Sequence, residues 1–70
     1  MTENMKLWLK ELYLEAAEEH RIAASNEHMW ALGSNDEEQT MLHEINAAEN
    51  MDFADILTDM ANKIEEVTQW

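Results

Sequence analysis

The feature that most limits how this chain can fold is the stretch from Asp36 to Trp70, which holds neither proline nor glycine and repeats its apolar residues at helical spacing. Leu42, Ile45, Phe53, Ile56, Leu57, Met60, Ile64 and Val67 recur at intervals of three, four and seven or eight, the pattern that lines up side chains along one side of an α-helix. At about 100° per residue the same helix gathers Glu37, Glu44, Asp52, Asp55, Asp59 and Glu66 into a sector of roughly 80° beside the apolar stripe. Unbroken from Glu37 to Glu66, that ridge of carboxylates is about 43 Å long at a rise of 1.5 Å per residue.

The first half reads as a second long helix. Thr2 suits the N-cap, and Glu3 sits where negative charge meets the positive end of the helix dipole. Met5, Trp8, Leu9, Leu12, Ala16, Ala23 and Trp30 then lie along one side, whereas Leu7, Leu14, Ile22, Met29 and Leu32 fall away from that stripe. A two-helix contact cannot cover both sets, so the second set suggests a further packing surface. Around Ala24-Ser25-Asn26-Glu27, either Ser25 or Asn26 caps a new short helix or the first helix passes straight through. Gly33, the one glycine, suits a left-handed residue closing the helix. Ser34-Asn35-Asp36-Glu37 has the form of a capping box for the next one.

Together these signals give an all-α helical hairpin in a single domain, 1–70. A helix runs over about 3–32, a turn over 33–35 and helical sequence over about 36–69. Asn50 offers a second reading, in which it caps a new start and splits the second helix. A lone hairpin of this size buries one face of each helix, which rarely suffices for stability. Either the chain breaks at Asn50 and closes as three helices, or two hairpins pair into a homodimeric helical bundle. The expected pairing surface is the set containing Leu7, Leu14 and Met29.

Charge narrows the function. The chain has 16 acids against four bases, a formal net charge of −12. The imbalance concentrates beyond residue 35, where ten acids face one base, Lys63. Such a field repels nucleic acid and anionic membrane and attracts basic partners. Disorder is argued against by a 46 % hydrophobic content, the absence of proline and the periodicity of the apolar residues. No stretch approaches the roughly 20 apolar residues of a membrane span, and Met1-Thr2-Glu3-Asn4 lacks the basic start of a signal peptide, so the cytoplasm is the expected location.

Specific chemistry is hard to find. With no cysteine, disulfides and thiolate metal sites are excluded. Ala17, Ser25 and Thr40 stand three residues before His20, His28 and His43, where a di-metal bundle wants glutamate. All three histidines therefore read as solvated surface residues. Asp52 to Asp59 lacks the spacing and central glycine of a calcium loop. No phosphate loop or nucleophile–base pairing is visible, so the expectation is a non-enzyme without cofactor or metal. Trp70 reads either as packing a helix end or as a free anchor.

The acidic ridge can be a plain solvated face, as charge runs usually are. Against that stands its single sign. Between Glu37 and Asn62 no lysine or arginine occurs, although mixed-sign pairs at i,i+4 would stabilise the helix by about 0.2–0.5 kcal/mol each and like-charge pairs such as Asp55–Asp59 oppose it by as much. The carboxylate row is also commensurate with nucleic acid, whose strand phosphates rise about 3.4 Å per step. On Glu37, Glu44, Asp52, Asp55, Asp59 and Glu66, and on its overall charge, the chain resembles the small acidic DNA-mimic inhibitors that bacteriophages make against host proteins. The resemblance implies binding to the basic nucleic-acid-binding surface of a host protein, such as a histone-like nucleoid protein or a CRISPR nuclease, in the host cytoplasm. It implies no direct contact with nucleic acid or membrane. The alternative is a helical interaction module or small regulator that binds through its apolar face.

Overall fold

The computed structural model describes residues 2–66, apart from the side chain of Glu65; Val67 and Trp70 lie outside the described residues. Within them the chain is all-helical. Helix α1 spans Glu3–Gly33 and helix α2 spans Glu37–Glu66, packed against each other as a hairpin.

Local chemistry accounts for both ends of α1. Extended Thr2 caps α1: its Oγ1 accepts the Met5 N–H at 3.2 Å and its carbonyl accepts the Lys6 N–H at 3.0 Å. At the other end, two sequence expectations are corrected. Gly33 is not left-handed, since no glycine among the described residues has positive φ. Instead α1 stops because Ser34 turns extended, φ −84° and ψ 140°, while its N–H still reaches the Ala31 carbonyl at 3.3 Å. The capping box centred on Ser34 does not form either. Asp36 does the capping: its Oδ1 accepts the Glu38 N–H at 2.9 Å, and its carbonyl accepts the Thr40 N–H at 2.9 Å. Ser34 Oγ ties the turn by accepting the Asp36 N–H and donating to the Asp36 carbonyl, both at 3.2 Å.

Neither interior soft spot breaks a helix. α1 runs through Ser25 and Asn26, and α2 runs through Asn50. The Asn50 amide donates back to the Asn46 carbonyl at 2.9 Å, so its side chain is occupied without interrupting the helix. The three-helix alternative is thereby excluded.

The contact between the helices is made mainly of alanine. Ala17, Ala24 and Ala31 on α1 and Ala54 and Ala61 on α2 are buried, together with Ile64, and Ala47 is half-buried. These alanines recur at intervals of seven on each helix, the repeat that keeps a seam facing one neighbour along its length. Small side chains let the backbones approach, and most of the bulky apolar residues, Ile64 apart, are left outside. No large side chain among the described residues is fully buried.

The result is one helix thick. The Cα atoms span 52 × 13 × 11 Å with a radius of gyration of 16.0 Å, against about 11 Å for a compact domain of 70 residues.

Candidate partner-binding surfaces

Helix α2 divides into three sectors, each roughly 120° from the next at 100° per residue. The first is the alanine seam of Ala47, Ala54 and Ala61. The second is the carboxylate ridge, and all six of its members (Glu37, Glu44, Asp52, Asp55, Asp59 and Glu66) are exposed. The third carries Leu42, Ile45, Phe53, Ile56 and Met60, also exposed. The periodicity thus does two things at once: it turns the ridge away from α1, and it sets it alongside the apolar sector.

Among the described residues, Asp59 is the one ridge carboxylate held in an ion pair, with Lys63 Nζ at 2.9 Å. The hydrogen bond and negative charge of Asp59 raise the Lys63 ammonium above the usual lysine range. Both groups are largely exposed, so the pair is solvent-screened and adds little to stability. The chain's remaining cations lie on α1, where Lys6 bridges Glu3 at 3.5 Å and Arg21 bridges Glu18 at 3.7 Å. The ridge therefore faces solvent with its charge almost uncompensated.

The apolar sector is the larger departure from expectation. Most of the stripe on each helix that would normally pack against its neighbour lies beside the seam instead of in it, with Ile64 the buried exception. Trp8, Leu12, Trp30, Leu42, Ile45, Phe53, Ile56 and Met60 are each 40–62 % exposed. Two ring contacts show that the stripes of α1 and α2 border the same edge of the seam. Phe53 stacks on His20 with centroids 5.4 Å apart, and Trp30 meets His43 at 5.7 Å. The two stripes therefore form one apolar flank of the hairpin. Leu7, Leu14 and Met29 are exposed on α1 but turn away from this flank. Arg21 shares the seven-residue register of Leu7 and Leu14, and it reaches Thr58 Oγ1 at 2.8 Å across the opposite edge of the seam.

The histidines correct the sequence reading as well. His28 is exposed, but His20 and His43 are half-buried in the contact between helices. His20 Nδ1 donates to Asn50 Oδ1 at 2.8 Å, and His43 Nδ1 pairs with Glu27 Oε2 at 2.5 Å. Hydrogen bonds of this kind contribute a net of about 0.5–1.5 kcal/mol each, more where a charge is involved. They also fix register, because sliding one helix would strand half-buried polar groups. Sequence reasoning missed Glu27, His20, His43, Asn50 and Arg21 as seam residues. The alanine repeat was the signal that could have found them.

Among the described residues no three histidine or carboxylate groups gather to hold a metal ion, and Asp52 to Asp59 is continuous helix. One groove among the described residues, of about 300 Å³, is lined by Glu38, Met41, Leu42 and Ile45 and is open to solvent. Among the described residues no helix is long and apolar enough to cross a membrane. Comparison with protein-family models, with curated proteins and with solved structures finds no match to this chain.

Proposed function

We propose that this chain is an acidic DNA-mimic inhibitor, of the type phages direct against host cytoplasmic proteins. It occupies the basic nucleic-acid-binding surface of its target and does so as a homodimer of helical hairpins. The observation that carries this reading is the row of six exposed carboxylates along one continuous helix, with one of them in an ion pair. A fixed array of like charge gathers counterions that the lysines and arginines of a basic partner set free on binding, as they do from duplex phosphates. It needs no sequence-specific contacts, and its attraction falls as salt screens it.

Competition for DNA tests the reading. With a panel of basic DNA-binding proteins, a nucleoid protein and a CRISPR nuclease among them, the chain should displace bound duplex at low salt and lose that ability as salt rises. Reversing Asp52, Asp55 and Asp59 to lysine should abolish displacement while leaving helicity intact. No displacement from any member at low salt would contradict it.

The exposed apolar flank favours a second reading, an interaction module whose partner is held by Trp8, Trp30, Phe53 and Ile56. In that case truncating the flank abolishes binding, the acid reversals leave it unchanged, and the complex survives high salt.

A further inference from the structure

We infer that a second copy of this chain covers the apolar flank that runs across both helices through Trp8, Leu12, Trp30, Ile45, Phe53 and Ile56, and that the set containing Leu7, Leu14 and Met29 stays outside the contact. The inference rests on the homodimer in the function proposed above and says where its interface lies.

Area is the first ground. A folded monomer of 8.2 kDa is expected to expose about 4,500 Å² of surface, whereas this hairpin exposes 5373 Å². The excess of roughly 800 Å² is what each partner hides in a standard interface. The second ground is shape. The molecule is one helix thick and 52 Å long; a second hairpin has the same length and the same flank, so a two-fold pairing covers the stripe end to end. Four helices stacked in this way also acquire the shared core of bulky side chains that the alanine seam lacks. Leu7, Leu14 and Met29 lie on one helix alone and offer a narrower contact.

Charge is the third ground. The flank and the ridge are centred roughly 105° apart on α2, with Asp52 bordering Ile45, so pairing through the flank leaves most of each ridge exposed. Bringing two chains of net charge −12 together still costs electrostatic energy, and salt relieves it. Self-association should therefore strengthen as salt rises, opposite to the expected behaviour of ridge binding. Glu49 marks the weak point. It is exposed and stands midway between Leu42 and Ile56 in the same seven-residue register, which places a carboxylate within the flank.

Sedimentation equilibrium of the whole chain over a concentration and salt series provides the test. The expected mass is twice 8.2 kDa, with association at least tenfold tighter at high salt than at low salt. Ile45→Gln, Phe53→Gln and Ile56→Gln together should weaken it at least a hundredfold, whereas Leu7→Gln, Leu14→Gln and Met29→Gln together should change it less than threefold. If the flank variant loses its helicity, a folded Trp70→Phe chain keeps the inference testable. In that chain Trp8 and Trp30 should become less accessible to acrylamide as the dimer forms. A monomer at every concentration, a dimer that leaves these tryptophans fully quenchable, or a dimer broken by the Leu7 set would each overturn the inference. A monomer that still displaces DNA overturns the pairing and spares the ridge; a dimer that displaces nothing does the reverse.

Discussion

The seam and the flank of this hairpin invert the usual relation between hydrophobicity and burial. The seam is lined by alanines together with Glu27, His20, His43 and Asn50, yet it is where the helices touch. The flank carries tryptophan, phenylalanine, leucine and isoleucine, yet it lies open. The difference teaches that the approach of two helices is decided by side-chain size at a seven-residue repeat and by polar pairs that fix register. Bulk is kept for a surface the chain cannot close by itself. The ridge, a third sector of the same helix, owes its exposure to this division.

The sharpest way to break the comparison is to put bulk into the seam. Ala54→Leu should cost about 1–3 kcal/mol by overpacking, read as a melting temperature lower by about 4–8 °C per kcal/mol for a domain of this size. An apolar side chain in place of the flank's carboxylate, as Glu49→Leu, should tighten self-association in sedimentation and raise the melting temperature.

Polar pairing in the seam comes next. Glu27→Ala strands the half-buried His43 imidazole, with an expected loss of about 1–3 kcal/mol in urea unfolding. Asn50→Ala should cost less, about 0.5–1.5 kcal/mol, because it removes one bond to His20 that involves no carboxylate and its back-bond to Asn46 is replaced by a good helix former. The smallest effect belongs to the ridge and has the opposite sign. Asp55→Lys places a cation four residues from Asp59 and should stabilise the helix by a few tenths of a kcal/mol, while weakening binding to a basic partner. A fold improved by a change that damages binding would separate the ridge's function from its structure.

Much of the helical architecture was legible because its signals were local and strong. Thr2 caps as its residue type suggests, and the proline-free, periodic sequence gives two long helices. The turn was misjudged in detail because Ser34 and Asp36 are both good caps. The nearer carboxylate of Asp36 reaches the Glu38 N–H, leaving Ser34 to brace the turn. Asn50 looked like a break because asparagine competes for backbone partners, but its helix neighbour Asn46 and the facing His20 satisfy it in place. The division between seam and flank was hidden because a stripe of large apolar residues outweighs a row of alanines when periodicity alone is read. The ridge was plain from spacing and sign. What binds it is not, since like charge at regular intervals specifies a kind of surface and no particular protein.

The central claim is that the carboxylates of α2 stand in a row offered to positive charge. Equilibrium affinity for a basic DNA-binding protein that the chain displaces from duplex, measured as a function of salt for the native chain and for Asp52→Lys, Asp55→Lys and Asp59→Lys together, tests it most directly. The expected result is an affinity for the native chain that falls steeply and linearly on logarithmic axes, and no measurable binding for the reversed chain at any salt. An affinity indifferent to salt, or equal for the two chains, would contradict the claim.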